Sequence, residues 1–127
     1  MVDDDQALLT IFSTALKKAG FDVITAPDGK TGLEKAKTEK PDFILLDQVL
    51  PDLQGNEVLR LLKEDLETKN ISVAMLSNFG QNELIQPAIN LGALDYILKY
   101  QVEPKDLINK ITELTKANAD KASDQVL

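Results

Sequence analysis

Five polar side chains stand at or next to the ends of short apolar segments of this 127-residue chain. They are the carboxylates of Asp3, Asp4 and Asp47, the hydroxyl of Ser77 and the ammonium group of Lys99. Gathered at one place, such groups could transfer a phosphoryl group onto an aspartate, with a metal ion and the lysine offsetting charge on the phosphoryl oxygens. Converging carboxylates repel each other unless a hard divalent cation such as Mg²⁺ lies between them.

The apolar pattern predicts elements that could bring these side chains together. The predicted strands are residues 21–25, 43–46, 71–76 and 94–98, and segments with helical periodicity separate them. The continuous apolar run 43–46 is typical of a strand buried on both faces of a parallel sheet. Such alternation predicts a doubly wound α/β sheet, in which the carboxyl ends of the strands meet at one edge. Asp47, Ser77 and Lys99 each follow a predicted strand, so we expect them to converge.

Two features of the sequence conflict with this scheme. Only Met1 and Val2 precede the first acidic residues, so the central first strand is nearly absent. Three hypotheses account for this: the given sequence starts late, the true start of the protein lies upstream, or a neighbouring chain donates a strand. Pro87 falls inside the fourth helical segment, where proline costs ~3 kcal/mol, so that helix starts near Pro87 or is kinked there. We predict one domain over residues 1–118 and a polar tail over residues 119–127.

The composition excludes several classes of function. The chain has no cysteine and no histidine, which removes thiolate metal sites, disulfides and histidine bases. A net charge of −7 argues against direct binding of nucleic acid, because that affinity depends on neutralising phosphates with Lys and Arg. No apolar run approaches the ~20 residues that cross a bilayer. We therefore expect a cytoplasmic protein that contacts neither membrane nor nucleic acid directly.

Each candidate residue also has an ordinary structural explanation. The acidic residues at positions 3–5 could be a solvated terminus or could cap the first helix, and Asp47 could be a turn residue before Pro51. Ser77 could cap a turn, and a lone lysine such as Lys99 is most often exposed to solvent. The functional interpretation depends on all of them falling at strand ends in the required order.

Four segments resemble the receiver domain of two-component response regulators, over residues 2 to about 115. Residues 2–5 are similar to the acidic pocket of that family, and residues 42–55 to the segment around its phosphoacceptor. Residues 73–77 are similar to its hydroxyl-bearing strand end, and residues 91–99 to the segment with its switch aromatic and lysine. The resemblance implies a flavodoxin-like, five-stranded parallel sheet of order 2-1-3-4-5 with helices on both faces.

The resemblance also implies roles for individual positions. Asp47 would accept a phosphoryl group from a histidine kinase or phosphotransfer protein, and the phosphoryl group would contact Ser77 and Lys99. Tyr96 would change rotamer, and the face formed by the fourth helix, fifth strand and fifth helix would signal to a downstream effector protein or domain. Such a domain is not an enzyme for other substrates, since it catalyses only its own phosphoryl transfer and dephosphorylation. The Mg²⁺ ligands would be Asp3, Asp4, Asp47 and the backbone carbonyl of Val49.

Departures from the family pattern keep other interpretations open. Tyr100 occupies the position of the usual proline after the lysine, which disfavours the family's cis peptide bond there. An aspartyl phosphatase would carry a second aspartate where Val49 stands, and no Gly-x-Gly-x-x-Gly motif supports a dinucleotide binder. The main alternative is a non-phosphorylated, receiver-like module for protein interaction or dimerisation, as a homodimer or through strand exchange.

Overall fold

The computed structural model describes residues 1–115 and 125–127. The helices are α1 (Gln6–Lys18), α2 (Gly29–Glu39), α3 (Gly55–Glu64), α4 (Asn82–Asn90) and α5 (Pro104–Leu114). The strands are β1 (Asp22–Val23), β2 (Phe43–Leu46), β3 (Ser72–Ser77), β4 (Tyr96–Leu98) and β5 (Gln125–Val126), and Lys99–Gln101 forms a 3-10 turn.

These strands form one parallel sheet of order β1-β5-β2-β3-β4, with helices on both faces. All four residues of strand β2 are buried, which accounts for helices on both faces of the sheet. Its Ile44 and Leu46 pack in a core with residues of α2, α3 and α4, whereas Phe43 and Leu45 pack in a second core with α1 and α5. The prediction of a doubly wound α/β sheet is confirmed.

The centre of the sheet is built from both ends of the described chain. Val126 pairs with Phe43 of β2, and Val2 pairs with Leu46 in the same parallel direction. Between them, the hydrogen bonds place Leu127 opposite Ile44 and leave the position opposite Leu45 for Met1. The register is therefore continuous from Gln125 through Leu127 and on through Met1 to Asp3, although no peptide bond joins residues 127 and 1.

Hydrogen bonds on both sides hold this composite strand. On the β2 side, Leu127 N donates to Phe43 O (2.8 Å) and Val2 N donates to Leu45 O (2.8 Å). On the β1 side, the amide of Ile24 donates to Val126 O (2.8 Å), and the α-amino group of Met1 donates to Ile24 O (2.7 Å). Backbone groups that would be orphaned in the middle of the sheet thus find partners.

Strand β5 fills most of the central position of the sheet, between β1 and β2. Val2 forms only isolated bridges, to Ala26 and Leu46, and the backbone hydrogen bonds of Met1 extend the same register. The predicted order 2-1-3-4-5 holds when β5 together with Met1 and Val2 is counted as the first strand. Of the predicted polar tail, residues 119–124 lie outside the described residues, and residues 125–127 lie in the centre of the sheet.

Helix α4 begins at Asn82 and continues through Pro87 to Asn90. It is short and buries only Ala88. Since Pro87 has no amide hydrogen, one intrahelical hydrogen bond is missing, and this helix is less strongly held than its neighbours. No helix within the described ranges is long and apolar enough to span a membrane.

If β5 completes the sheet, a charge at its buried residue should unfold the protein. Val126 has no exposed surface, so Val126→Asp places an unpaired carboxylate in the core. We expect the free energy of unfolding to fall by about 3–5 kcal/mol, measured by urea denaturation followed by circular dichroism. Leu66→Asp, at a side chain that is 79% exposed, is the matched control and should change it by less than about 0.5 kcal/mol. Equal effects of the two substitutions would contradict the placement of β5.

Candidate functional site

Three carboxylates meet at the carboxyl edge of the sheet. Asp3 follows the composite central strand, Asp47 follows β2, and Asp4 is the neighbour of Asp3. One carboxylate oxygen from each lies within 4.8 Å of the others. Asp3 and Asp47 are almost fully buried, at 2% and 5% exposure, while Asp4 is exposed. The structure thus brings together the three carboxylates that the sequence predicts to converge.

Lys99 completes this cluster from the other side. It opens the 3-10 turn after β4, and its side chain is only 7% exposed. Its Nζ lies 2.7 Å from Asp3 Oδ2 and 3.3 Å from Asp47 Oδ2. One ammonium group among three carboxylates leaves a formal charge of −2. A cluster of oxygen donors with that excess charge fits a hard divalent cation such as Mg²⁺.

The electrostatics of the cluster follow from this geometry. Burial, and then the negative charge of Asp3, raise the pKa of Asp47 to about 6, against the opposing effect of Lys99. Burial lowers the pKa of Lys99, but the hydrogen bond to Asp3 and the charges of Asp47 and Asp3 outweigh it and raise that pKa above its ordinary value. Lys99 therefore stays protonated, and Asp47 is ionised above neutral pH.

A surface cavity of about 190 Å³ opens onto Asp47. Its lining residues are Asp4, Asp5, Asp47, Val49, Asn78, Phe79 and Lys99. Val49 and Phe79 are the exposed apolar residues of this lining, at 52% and 44% exposure. Ser77 is buried at the end of β3, where its Oγ accepts a hydrogen bond from Phe79 N (3.0 Å).

Among the acidic residues at positions 3–5, Asp5 has a structural role as a helix cap. It is the N-cap of α1, and its Oδ1 accepts a hydrogen bond from Leu8 N (3.1 Å). Its own amide donates to Asp3 Oδ1 (3.0 Å), which orients the Asp3 carboxylate. The helix cap and the carboxylate cluster therefore share this acidic run.

Gly55 shows how closely the chain packs behind Asp47. A Cβ atom at Gly55 would overlap the carbonyl oxygen of Asp47 and lie 2.7 Å from Gln48 Cα. The Gly55 amide also donates to Gln48 O (2.7 Å). Only glycine lets the start of α3 approach the end of β2 this closely, which accounts for the glycine in the segment 42–55.

Gln48 is a residue that the sequence does not single out. It is 2% exposed, and its side-chain Oε1 accepts a hydrogen bond from Asn56 N (2.8 Å). Its Nε2 donates to Asn56 Oδ1 (3.0 Å) and to the hydroxyl of Tyr96 (3.3 Å). Asn56 Nδ2 in turn donates to Leu84 O of α4 (3.1 Å). One buried amide next to Asp47 thus connects α3, α4 and the aromatic residue of β4.

Tyr96 lies between this network and the loop that follows β3. Its hydroxyl donates to Phe79 O (2.7 Å), two residues after Ser77. The loop after β4 continues from Lys99 through Tyr100 as the 3-10 turn, and the described residues contain no cis peptide bond. Tyr96 is therefore hydrogen-bonded both to Gln48, next to Asp47, and to the loop that follows Ser77.

Comparison with known proteins agrees with this architecture. The sequence profile of the response regulator receiver domain matches residues 1–112. The alkaline phosphatase synthesis transcriptional regulatory protein PhoP of Bacillus subtilis (strain 168) is 39% identical over 99 residues, which are 78% of this chain and 40% of PhoP. The chain therefore spans less than half the length of that curated relative.

Solved structures share the fold over most of their length. The receiver domain protein (CheY-like) from Methanospirillum hungatei JF-1 has a TM-score of 0.86 and 31% identity, over 94% of this chain and 93% of that one. A chain of the CheX-CheY-BeF3-Mg²⁺ complex from Borrelia burgdorferi has a TM-score of 0.80 and 27% identity, over 89% of this chain and 84% of that one.

The raised pKa of Asp47 predicts a pH-dependent stability in the presence of chelator. A folded-state pKa of about 6 exceeds the ordinary value of 3.8, so the folded state holds this proton more tightly, and stability falls as pH rises between these values. Asp47→Asn should therefore raise the free energy of unfolding by about 1–3 kcal/mol at pH 8, and by much less at pH 4. Urea denaturation at both pH values measures this. The exposed Asp22→Asn is the control, and a gain at pH 4 equal to that at pH 8 would contradict the assignment.

The Gln48 network predicts a specific effect on Tyr96. Gln48→Leu removes the amide, leaves the Asn56 amide and the Tyr96 hydroxyl short of partners, and should cost about 1–3 kcal/mol of stability. In a Tyr100→Phe background, Tyr96 is the single tyrosine, and its ring NMR signals should shift or broaden. Gln6→Leu, at an exposed position of α1, should leave these signals unchanged. Unshifted Tyr96 signals in Gln48→Leu would show that the amide does not hold the ring.

Proposed function

Because this chain belongs to the response regulator receiver domain family of two-component signalling, we propose that it accepts a phosphoryl group on Asp47 in a Mg²⁺-dependent reaction. The observation that carries the proposal is the position of Asp47. Its carboxylate opens onto a surface cavity and lies beside both Lys99 and the acidic pair Asp3 and Asp4. The sheet does not need these charged side chains to lie together, whereas phosphoryl transfer onto a carboxylate uses all of them.

Asp47 is the nucleophile of the proposed reaction. Above neutral pH its carboxylate is ionised, and one oxygen forms the bond to phosphorus as the bond between phosphorus and the donor's leaving atom breaks. The ammonium group of Lys99, held 3.3 Å from Asp47 Oδ2, stabilises charge on the phosphoryl oxygens. Asp3, Asp4, Asp47 and the Val49 carbonyl would hold Mg²⁺, which supplies further stabilisation of that charge when bound. Water that enters past Val49 and Phe79 then attacks phosphorus, breaks the bond between phosphorus and the Asp47 oxygen, and releases inorganic phosphate and the free carboxylate.

Ser77 and Tyr96 carry the signal away from Asp47. A phosphoryl group adds about −1.5 to −2 charge and three acceptor oxygens, which attract the Ser77 hydroxyl. The loop from Ser77 to Phe79 then moves, and the hydrogen bond from Tyr96 to Phe79 O changes with it. A pre-existing two-state equilibrium between positions of Tyr96 is shifted in this way.

The proposed output face consists of α4, β4 and α5, which correspond to the fourth helix, fifth strand and fifth helix of the family. A cavity of about 470 Å³ lies there, lined by residues of β4, the following turn and α5, with Tyr96 at its edge. Ile89 and Leu94 are also exposed near this face, at 43% and 51%. Exposed apolar side chains beside a cavity support binding of a protein partner at this face.

The proposed partners are a cytoplasmic histidine kinase or phosphotransfer protein as phosphodonor, and an effector protein or domain as receiver of the signal. The PhoP relative is named a transcriptional regulatory protein, and the matched region covers 40% of it. We propose that any contact with DNA lies outside this domain, because its net charge of −7 repels phosphates.

The direct test is intact mass after incubation with acetyl phosphate, with Mg²⁺ or with chelator. We expect a gain of one phosphoryl group that requires Mg²⁺, is lost in Asp47→Asn and is retained in Asp22→Asn. Lys99→Gln should reduce the rate of the gain by at least about tenfold, because it removes the only cation beside Asp47 among the described residues. A folded protein that gains no mass would contradict the proposal and favour a non-phosphorylated interaction module.

A further inference from the structure

Gln48 contacts the proposed phosphoacceptor through its own backbone. Its amide donates to Asp47 Oδ1 (2.8 Å), while Asp47 Oδ2 lies 3.3 Å from Lys99 Nζ. A phosphoryl group bonded to Asp47 would turn this charged carboxylate into an acyl phosphate, whose carbonyl oxygen is neutral. Hydrogen bonds to a charged acceptor are stronger than those to a neutral one, so phosphorylation would loosen the hold on the Gln48 amide. The main chain of Gln48 therefore responds to the chemical state of Asp47.

The buried side chain of Gln48 carries that response to α3. Its Oε1 accepts a hydrogen bond from Asn56 N (2.8 Å), in the first turn of α3, where the N-cap Gln54 makes no side-chain hydrogen bond. Its Nε2 donates to Asn56 Oδ1 (3.0 Å) and to the hydroxyl of Tyr96 (3.3 Å). Because an amide side chain has two donor hydrogens and one acceptor oxygen, these three hydrogen bonds engage both ends of the group. A movement of Gln48 therefore changes the whole network at once.

Asn56 connects this network to α4, the helix of the output face that is held least firmly. Its Nδ2 donates to Leu84 O (3.1 Å), three residues before Pro87. Helix α4 has few other restraints, since Pro87 removes one intrahelical hydrogen bond, the N-cap Gln81 makes no side-chain hydrogen bond, and only Ala88 is buried. An element with so few buried contacts moves more readily than its neighbours when one restraint changes.

We propose that Gln48 and Asn56 are positioning residues that form a second route from Asp47 to the output face, separate from the loop that follows Ser77. The proposal rests on the proposed function, because phosphorylation of Asp47 is the natural trigger of this route. When the hold on the Gln48 amide loosens, the peptide after β2 shifts, Asn56 moves with it, and its hydrogen bond to Leu84 O changes. The route thus shifts a two-state equilibrium in the position of α4.

Asp47→Ala tests this route in the full chain without any phosphodonor, because it removes the acceptor of the Gln48 amide directly. It also removes one of three mutually repelling carboxylates, so the chain is expected to stay folded. The measurement is the shift of the α4 backbone amide NMR signals that Asp47→Ala causes, in the presence of chelator. It is made in the parent chain and in two variants that break the route at different points. Gln48→Met keeps the length of the side chain but removes its hydrogen bonds, and Asn56→Leu removes the side-chain link to α4.

We expect a clear shift of the α4 signals in the parent chain. Gln48→Met and Asn56→Leu should each reduce this shift at least about threefold, because coupling between sites needs the contacts that carry it. The matched controls Gln6→Met and Asn109→Leu, both at exposed positions, should leave the shift unchanged. Ser77→Ala should preserve most of it. A purely structural role of Gln48 or Asn56 would change the α4 signals themselves but not their response to Asp47→Ala.

An undiminished shift in a folded Gln48→Met or Asn56→Leu chain would contradict the proposal. Asn56 is partly exposed, so Asn56→Leu is expected to fold and decides the question even if Gln48→Met does not fold. The proposal is also wrong if α4 does not respond in the parent chain, or if Ser77→Ala abolishes the response, which would leave one route instead of two. Intact mass after incubation with acetyl phosphate tests phosphorylation of Asp47 separately, so the failure of either proposal is distinguishable from the failure of the other.

Discussion

Mutual repulsion of three carboxylates is the constraint on which the rest of this structure depends. Asp3, Asp4 and Asp47 lie within 4.8 Å of each other, and the single ammonium group of Lys99 offsets only part of their charge. Burial makes this arrangement costly, and the pKa of Asp47 is raised accordingly. Parallel strands hold the carboxylates in place against that repulsion, and a cluster of oxygen donors with this excess charge favours a bound divalent cation.

The composite central strand links this site to both ends of the described chain. Asp3 is positioned because Met1 and Val2 continue the register of β5, so the acidic cluster depends on three residues that lie more than 120 positions away in sequence. Asp3 is therefore positioned by residues distant in sequence, whereas Asp47 directly follows the buried strand β2. Stability of the sheet and geometry of the site are thus coupled through the composite central strand.

Much of this architecture could be predicted from the sequence, and the exceptions have physical reasons. The apolar run before Asp47 and the order of strand ends predict both the fold and the meeting of Asp3, Asp47 and Lys99. The role of β5 could not be predicted, because its few residues follow a polar stretch. Their place between β1 and β2 becomes apparent only in the folded structure. Gln48 was missed because a buried amide is indistinguishable in sequence from an exposed one. The helix does not start near Pro87, because α4 begins five residues earlier and contains the proline, which leaves a kink as the remaining alternative.

Binding of Mg²⁺ tests the central claim, that the carboxylate cluster is built around a divalent cation, most directly. Isothermal titration calorimetry of the folded chain with Mg²⁺, without phosphodonor, measures this binding. One ion should bind to each chain, and binding should be lost in Asp3→Asn but kept in Asp22→Asn, whose side chain lies outside the cluster. A folded chain that shows no Mg²⁺ binding, or binding that Asp3→Asn leaves unchanged, would contradict the account.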